Sequence, residues 1–355
     1  MKVLVTGAAG FLGSHVRRAL IAADHDVVAV DVMHTCVHGP DARAPEGVAR
    51  VDIRDGAAME SLLRGVDVVC HLAAVTGVSG AAKRQGDAPE GFVESGLAPA
   101  EFAAHNDLGT AVLLASMSRA GVRRLVLASS ASVYGEGRYR MVHGGSFSPT
   151  VRLRADLDRG MFDHRAPRTG EVLTWEPVGE DAPSRPRGFC ATSKAAQENY
   201  ALSWGFATGN AVTVLRYHQI YGPGAHFGVA AVFRDALVAG AAVRVFEDGG
   251  QVRDFVHVDD AAAATVAAVE RAIPGFVPLN IASGHPVTLY QVASIMSRAR
   301  GGPDPIVTGQ YRVADVRHFV GDPTRAKRAI GFTATVTPAL GLAEFAAPTT
   351  ESADT

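Results

Sequence analysis

Short apolar runs alternate with segments of helical periodicity from the start of the chain up to Arg216. Apolar runs of this length predict buried strands, and apolar positions repeated every three to four residues predict helices. The predicted strands cover residues 2–5, 27–31, 48–53, 66–72, 124–128 and 211–216, and the predicted helices cover residues 11–23, 59–64, 102–120 and 190–207. This alternation predicts a doubly wound parallel α/β sheet, whose ligands bind at the carboxyl ends of the strands.

Two stretches interrupt this pattern. Residues 77–99 are rich in glycine and alanine and predict a long loop. Residues 136–187 have little periodicity and many arginines and histidines, so we predict a lid or an interface there in preference to a disordered insert.

After residue 217 short strands mix with helices, which predicts a smaller, partly interleaved C-terminal α/β lobe. The predicted elements are strands at 243–246, 255–258 and 277–281 and helices at 229–239, 260–271 and 289–300. We therefore expect a first domain at 1–217 that contains the insertion 136–187, a second domain at 218–347, and a frayed tail at 348–355.

Three glycines, Gly7, Gly10 and Gly13, follow the first strand at three-residue spacing and lead into the first helix. A strand, a glycine turn and a helix in this order direct the free N–H groups of the helix at a phosphate. The second strand ends at Asp31, where a carboxylate can bind a ribose diol, and no Arg or Lys follows nearby to meet a 2′-phosphate. The unit therefore predicts a Rossmann-type fold with NAD as cofactor; the same fold with an empty or mononucleotide crevice is the alternative.

Two later strands end in residues suited to the same cofactor. The third ends at Asp52 and Ile53, a position suited to contact with adenine. The fourth runs into Leu72, Ala73 and Ala74, a stretch of small residues that would let a cofactor lie against the backbone.

Composition excludes several classes of function. Apolar residues make up 47% of the 355 residues and charged residues 20%, and the formal net charge of -2 gives no attraction to nucleic acid or acidic membranes. The arginine-rich insertion lacks the interleaved aromatic residues typical of nucleic-acid binding. We expect no signal peptide, no membrane span, no disulfide framework from three cysteines, and a cytoplasmic location.

The segment His34-Thr-Cys-Val-His38 carries three metal-capable side chains at alternate positions. It lacks a fourth ligand and lies on the predicted loop that follows Asp31. We therefore expect no metal site from these residues.

Several motifs together resemble the extended short-chain dehydrogenase/reductase family, the nucleotide-sugar epimerases and dehydratases. They are TGAAGFLG, HLAA, Asn106 with Gly109-Thr110, SSASVYG, Lys194 with its flanks, RYHQIYGPG, RDFVHVDD and YRVADVRH, in this order from Lys2 to about Phe332. The run FEDGGQVRDFVHVDD and the long insertion are most similar to the TDP-L-rhamnose 4-epimerase branch. Members of that branch often carry cysteine pairs in the insertion, but this insertion has none before Cys190, so we expect no zinc site in it.

The resemblance implies a role for each matching residue. Ser130 would hydrogen-bond the sugar hydroxyl that is oxidised, Lys194 would hold the nicotinamide ribose, and Arg253 and Arg312 would bind the diphosphate. The implied cofactor-binding residues are Gly7, Gly10, Phe11, Leu12, Gly13, Asp31, Asp52, Ile53, Leu72, Ala73, Ala74, Asn106, Lys194 and Tyr217. The implied substrate-binding residues are Ser130, Ser132, Gln219, Val232, Arg253, Arg312 and Asp315. The family also implies a TDP- or UDP-sugar ligand and a homodimer built on the helices at 102–120 and 190–207.

Cys190 departs from the family pattern. The family's proton-transfer residue is a tyrosine four residues before the lysine, one helical turn away, and Cys190 holds that position here. Lys194 would lower the pKa of the thiol, but a thiol reaches several ångströms less far than a phenol. Three alternatives stay open: Cys190 transfers the proton through water; Tyr139, His143 or His218 replaces it; or the hydride chemistry is weak or lost.

The residues after Ser130 narrow the reaction. The family's dehydratases have an Asp-Glu pair there and its decarboxylases a glutamate, whereas this chain has Ala131 and Ser132. Without that carboxylate we favour a 4-epimerase that oxidises the sugar C4 hydroxyl transiently to a 4-keto group. The alternatives are another nucleotide-sugar conversion (4-keto reductase or dehydrogenase, decarboxylase, dehydratase) or a non-catalytic NAD or nucleotide-sugar binding protein.

Overall fold

A computed structural model describes residues 1–76 and 97–348. The first part of the chain forms, in order, β1 (Lys2–Thr6), α1 (Phe11–Ala22), β2 (Asp26–Asp31), α2 (Thr35–His38), β3 (Val48–Arg50), α3 (Gly56–Leu62), β4 (Val68–His71), α4 (Pro99–Phe102), α5 (Gly109–Ala120) and β5 (Arg124–Ser130). A π-helical stretch, Ala103–Leu108, joins α4 to α5. Most of the loop predicted at 77–99 and of the tail predicted at 348–355 lies outside the described residues.

A 3₁₀ turn, Ala131–Tyr134, follows β5. The rest of the chain forms β6 (Arg138–Arg140), β7 (Ser146–Phe147), α6 (Arg154–Leu157), β8 (Thr174–Glu176), α7 (Gly188–Thr208), β9 (Ala211–Tyr217), β10 (Gln219–Tyr221), α8 (Val229–Val238), β11 (Arg244–Val245), β12 (Val252–His257), α9 (Val258–Glu270), β13 (Phe276–Ile281), β14 (Pro286–Thr288), α10 (Leu289–Arg300), β15 (Ile306–Val307), β16 (His318–Phe319), α11 (Thr324–Ile330) and α12 (Pro338–Ala346). None of the helices within these described ranges is long and apolar enough to cross a bilayer.

The central sheet confirms the predicted doubly wound α/β fold. Its order within the described residues is β13-β9-β5-β4-β1-β2-β3, and all neighbouring strands run parallel. The chain leaves β1 toward β2 on one side and returns to β4 on the other, so the switch point of the topology lies beside β1. An open parallel sheet binds its ligands in the crevice at such a point.

The strands of the central sheet are apolar on both faces because helices cover both faces. Val3 and Val5 of β1 pack with α1, α9 and α11, whereas the intervening Leu4 packs with α3, α5 and α7. Each of these three β1 side chains is fully buried. The two helical layers therefore hold the sheet between them and fix the edge at which its strands end.

The second lobe has its own small sheets and core. β12 pairs with β10, β14 and β16, and β11 pairs with β15. Apolar side chains of α8, α10 and α12 form a core against these strands, with Phe233, Phe255 and Met296 inside it. β13, which the sequence groups with this lobe, is instead an edge strand of the central sheet.

The insertion is a folded unit, with short strands that the weak periodicity of residues 136–187 does not predict. β7, β6 and β8 form an antiparallel sheet. Tyr139, Ala166 and Leu173 form a small buried core on it. Arg152 of the insertion donates a hydrogen bond to the carbonyl oxygen of Asp315 at 2.6 Å. The insertion is thereby attached to the second lobe.

A buried ion pair fixes α7 against the carboxyl ends of β5 and β9. The Glu198 carboxylate accepts hydrogen bonds from Arg216 at 2.7 and 3.0 Å and from the Ser129 hydroxyl at 2.5 Å. Arg216 also donates to the Tyr134 hydroxyl at 2.9 Å. The two side chains of the pair are each only 7% exposed. Removing one partner of such a pair leaves an uncompensated charge in the interior.

We therefore expect Glu198→Gln to lower the free energy of unfolding by about 3 to 5 kcal/mol. The matched control is Glu60→Gln, because Glu60 is 40% exposed and pairs with the exposed Arg119. That change should cost less than about 1 kcal/mol. Urea unfolding followed by tryptophan fluorescence measures both, and equal losses in the two variants would contradict the prediction.

Candidate functional site

At the turn between β1 and α1, two glycine positions leave no space for a side chain. Gly7 has a φ of +70°, and a Cβ added to it would lie 2.7 Å from the Ala73 nitrogen. A Cβ added to Gly13 would lie 2.0 Å from the Gly7 carbonyl oxygen. These approaches require glycine and bring bare backbone to the switch point of the sheet.

The N-terminus of α1 is open to a ligand. Gly10 is the N-cap and supplies no side-chain hydrogen bond, and the first turn contains no acidic residue. The main-chain N–H groups of Phe11 and Leu12 therefore lie at the positive end of the helix dipole without a capping side chain. This arrangement fits a pyrophosphate group.

Asp31 lies at the end of β2, beside the glycine turn. Its carboxylate accepts hydrogen bonds from the Ala9 nitrogen at 3.1 Å and the Met33 nitrogen at 2.8 Å, and His38 approaches to 3.4 Å. These contacts fix the carboxylate where a ribose diol would meet it. A negative charge here fits NAD, whereas a 2′-phosphate would be repelled.

Asp52 and Ile53 lie just after β3, which ends at Arg50. Arg54 donates to the Asp52 carboxylate at 2.6 Å and lowers the pKa of this group. Ile53 is buried, and a Cβ added to Gly109 would lie 2.7 Å from its Cδ1 atom. Ile53 thus packs on α5, and Asp52 is held in place as a carboxylate.

The segment after β4 is fixed by main-chain and side-chain hydrogen bonds. The Leu72 nitrogen donates to the Thr6 carbonyl oxygen at 3.1 Å, and the Ala73 nitrogen donates to the Thr6 hydroxyl at 3.2 Å. His71 bonds the same hydroxyl at 2.7 Å, and burial lowers its pKa to about 3, so its imidazole is neutral. Leu72, Ala73 and the following Ala74 therefore lie at a rigid edge next to the glycine turn.

Asn106 is fully buried and holds this segment against α7. Its side-chain oxygen accepts from the Val75 nitrogen at 2.8 Å, and its amide nitrogen donates to the Val75 carbonyl oxygen and the Ser193 hydroxyl. The structure thus gives Asn106 a supporting role behind the crevice.

Lys194 lies at the carboxyl end of β5. Its ammonium group donates to the Ala128 carbonyl oxygen at 2.9 Å, and the side chain is buried. Burial lowers the pKa of Lys194 to about 8, while Cys190 and Glu198 nearby act in the opposite direction. The ammonium form therefore predominates at neutral pH, two residues before the end of the strand that carries Ser130.

Ser130 and Ser132 form a local hydroxyl pair. The Ser130 hydroxyl accepts from the Ser132 nitrogen at 3.1 Å, and the Ser132 hydroxyl donates to it at 2.8 Å. Ser130 is partly exposed and Ser132 exposed, so both can meet a ligand. Ser130 lies opposite Tyr217 in the pairing of β5 with β9. The Tyr217 hydroxyl points into the core, where it bonds Thr265 at 2.6 Å.

Cys190 lies in the first turn of α7, one turn before Lys194, and is partly buried. It forms no disulfide. It is on the same helix as Lys194, four positions earlier, and its charge acts to raise the pKa of Lys194.

The structure disfavours the other proton-transfer groups considered from the sequence. The Tyr139 side chain is fully buried, and its hydroxyl bonds His318 at 3.2 Å. His143 lies on the exposed segment between β6 and β7. His218 is buried and stacks on Phe319, and a Cβ added to Gly321 would lie 2.2 Å from its Nε2 atom. Burial lowers the pKa of His218 to about 3, which makes it a weak base.

Arg253, Arg312 and Asp315 gather in the second lobe. Arg253 is on β12 and donates to the carbonyl oxygens of Val252, Val316 and Arg317. Burial lowers its pKa, and within the described residues it has no carboxylate within ion-pair distance. Both arginines act on the Asp315 carboxyl, whose pKa burial raises. Arg312 is exposed and lies over Phe246. Guanidinium groups suit an anionic ligand, and the Asp315 carboxyl lies near enough to both arginines to interact with their charges.

The remaining predicted substrate residues lie on neighbouring elements. Gln219 begins β10, which pairs with β12, and is exposed. Val232 is on α8 and is also exposed. Neither forms a contact that fixes its side chain toward Arg253 in the described structure.

Sequence reasoning missed two buried glutamates, Glu247 and Glu136, that form ion pairs around the site. Glu247 is fully buried and has a positive φ of 53°. It lies 2.7 Å from Arg152 and 2.8 Å from Arg317 in two ion pairs. In the insertion, Glu136 binds Arg187 at 2.5 Å and His164 at 3.1 Å just before α7. A single acidic residue between apolar runs carries no periodic signal, so sequence patterns do not identify these two glutamates.

Gly13→Ala tests the glycine turn. The added methyl group would meet the Gly7 carbonyl oxygen, so α1 must move and the phosphate-facing N–H groups with it. We expect NAD affinity to fall at least tenfold in calorimetric titration. Gly145→Ala is the matched control, because open space surrounds that glycine. Unchanged NAD affinity in a folded Gly13→Ala variant would contradict the prediction.

Lys194 makes stability depend on pH. Its pKa is about 8 when folded and about 10.4 in an unfolded chain, so the unfolded chain binds more protons between these values. The stability of the wild type relative to Lys194→Met should therefore rise between pH 8 and pH 10, by on the order of 3 kcal/mol. Urea unfolding of both chains across this range measures the difference, and a difference independent of pH would refute the assignment.

Comparison with known proteins places this geometry in a family. Residues 3–151 and 168–282 match the NAD dependent epimerase/dehydratase family. The chain is similar to a dTDP-L-rhamnose 4-epimerase of Burkholderia thailandensis, with 30% identity over 93% of this chain and 90% of that protein.

Solved structures agree with this match. MoeE5 in complex with UDP-glucuronic acid and NAD has 28% identity, a TM-score of 0.73 and 97% coverage of both chains. A UDP-glucose 4-epimerase of Thermotoga maritima with UDP-glucose has 27% identity, a TM-score of 0.74 and covers 98% of this chain and 97% of that chain. The chain therefore belongs to the NAD dependent epimerase/dehydratase family, and its cofactor is NAD.

Proposed function

We propose that this chain is a nucleotide-sugar 4-epimerase that acts on a TDP- or UDP-sugar. The observation that carries the proposal is the position of the buried Lys194 ammonium at the end of β5, with Cys190 one helical turn away and Ser130 on the same strand. This edge of the sheet also holds the glycine turn, so a sugar hydroxyl and the nicotinamide would meet there.

The relatives support a nucleotide sugar as substrate. The compared proteins include 4-epimerases of dTDP-L-rhamnose and UDP-glucose, and a structure with UDP-glucuronic acid. Ala131 and Ser132 provide no carboxylate next to Ser130. Elimination of water requires an acid and a base that this position does not supply, which favours epimerisation over dehydration.

Arg253 and Arg312 bind the diphosphate in this proposal. Arg253 is held by three carbonyl oxygens, so its guanidinium is oriented before a ligand arrives. Arg312 is exposed and adds charge at the entrance. With the diphosphate anchored in the second lobe, the sugar extends toward Ser130, and binding energy remote from the reacting carbon positions it.

NAD held at the glycine turn and Asp31 would supply the hydride acceptor for the sugar C4 carbon and the donor for its return. Ser130 orients the C4 hydroxyl through its partly exposed oxygen. Lys194 supplies a positive charge that stabilises the oxygen as it loses its proton. Return of the hydride to the opposite face requires that the sugar rotates about the anchored diphosphate. In this proposal the protein therefore binds the sugar itself only weakly.

Cys190 transfers the proton in this proposal, through a bridging water because the thiol is short. Its position beside Lys194 favours the thiolate. His218, the alternative, faces Gly321 and is a weak base. The proton then moves from the C4 hydroxyl to the water and the Cys190 sulfur, and returns by the same path.

A homodimer in the cytoplasm completes the proposal. α7 exposes Tyr200, Leu202 and Phe206, and Phe206 is 90% exposed. Large apolar side chains on one helix of this kind are typical of an interface. A second copy of the chain is the partner that the family resemblance implies.

The experiment supplies the full chain with NAD and TDP- or UDP-sugars and follows C4 inversion by NMR. We expect Cys190→Ala to lower turnover at least a hundredfold, since positioned proton transfer contributes about 10² to 10⁴ in rate. Cys190→Tyr should raise the rate above wild type, because the phenol reaches the hydroxyl without a water.

Thr192→Ala is the matched control, since Thr192 lies in the same turn of α7 but is exposed. It should keep the wild-type rate. Wild-type turnover in Cys190→Ala would exclude Cys190 as the proton carrier. A wild-type chain that binds NAD and the sugar nucleotides but inverts none of them would contradict the 4-epimerase proposal itself.

A further inference from the structure

Three metal-capable side chains meet beside the proposed adenosine end of the crevice. One ligand atom each of His34, Glu101 and His105 can be chosen so that all lie within 4.8 Å of one another. His34 precedes α2, whereas Glu101 is on α4 and His105 in the π-helical stretch that follows. In the sequence His34 is far from both Glu101 and His105, so only the fold brings the three side chains together.

The geometry of the cluster points to a shared ligand. Glu101 and His105 are four residues apart on one helical face, with 3.7 Å between the carboxylate oxygen and Nε2. The His34 and His105 rings meet edge to face with their centroids 4.5 Å apart. A tetrahedral zinc with bonds of about 2.0 to 2.1 Å places its ligand atoms about 3.4 Å apart. Small side-chain movements bring the present atoms to that separation.

The surroundings hold the donors in place. His34 is the N-cap of α2, and its Nδ1 atom lies 3.3 Å from the Cys36 nitrogen and 2.8 Å from the Cys36 sulfur. Binding of an ion through Nε2 requires the ring proton on Nδ1, where it donates to the Cys36 sulfur in place of the hydrogen bond accepted from the Cys36 nitrogen. The Arg54 charge next to His105 is neutralised by Asp52 at 2.6 Å. A carboxylate and two imidazoles then face one another with one negative charge among them, which suits a divalent cation.

We propose that His34, Glu101 and His105 form a site for a divalent transition-metal ion, with Zn²⁺ as the ion that this donor set fits. Two histidines and one carboxylate are a recurrent zinc ligand set that leaves a fourth position for water. His38, considered with His34 in the sequence, turns instead to Asp31 at 3.4 Å. The bound ion ties the segment after β2 to the helix that begins at Pro99.

The site is tested on the full-length chain after treatment with EDTA, with Co²⁺ absorption and Zn²⁺ calorimetry as readouts. We expect one ion per chain and a higher melting temperature with Zn²⁺. Glu101→Gln, His105→Asn and His34→Asn should each weaken metal affinity at least tenfold. The control is His143→Asn, which removes an exposed histidine on the insertion and should leave affinity unchanged.

We expect the Glu101→Gln variant to fold, because Glu101 is 46% exposed and glutamine has the same shape. A loss of metal affinity in this variant then reports on the metal site and not on unfolding. NAD affinity, measured on the same samples, reports whether each variant is folded. A wild-type chain that takes up neither Co²⁺ nor Zn²⁺ overturns the proposal. Uptake that all three variants retain marks binding elsewhere and overturns it as well.

Discussion

The approach of Gly13 to Gly7 is the constraint on which the site depends. No side chain fits between these two residues, so α1 begins directly against the end of β1 with its N–H groups uncovered. Other parts of the crevice are attached to the same turn. Asp31 is held by the Ala9 nitrogen, and the segment after β4 is held by the oxygens of Thr6. The parts that would contact a dinucleotide are thus joined to one rigid turn, which lowers the conformational cost of binding.

A second set of contacts fixes the reacting end. α7 carries Lys194, and polar contacts hold this helix on both sides of that residue: Ser193 bonds Asn106, and Glu198 binds Arg216. The pairs are buried, so a shift of α7 would leave polar groups without partners. The insertion and the second lobe are joined in the same way, because the buried Glu247 lies between an arginine of each. The lobe that carries Arg253 and Arg312 is therefore positioned by charges as well as by its apolar core.

The sequence predicts the parts of this structure that follow from periodicity or from glycine spacing. The strands of the central sheet, the helices on both of its faces and the turn at Gly7 are all of this kind. Four strands of the second lobe, β10, β14, β15 and β16, were not predicted, because two or three residues carry no measurable period. The helix α12 was not predicted either, because it is apolar on most sides. The short strands of the insertion were not predicted because their sheet is held by a few large side chains such as Tyr139. Buried charges such as Glu247 depend on partners distant in sequence, which no local pattern reveals.

The surroundings of Cys190 include a buried charge that lowers the stability of the folded chain. A buried ammonium at Lys194 opposes folding, since burial lowers its pKa to about 8. In the proposed reaction this charge stabilises the sugar oxygen as it loses its proton. The ion pair of Glu198 and Arg216 behind the lysine is likewise complete. In the proposed reaction a bridging water makes up for the short reach of the Cys190 thiol, while Ser130 and Lys194 keep the roles that the family resemblance implies.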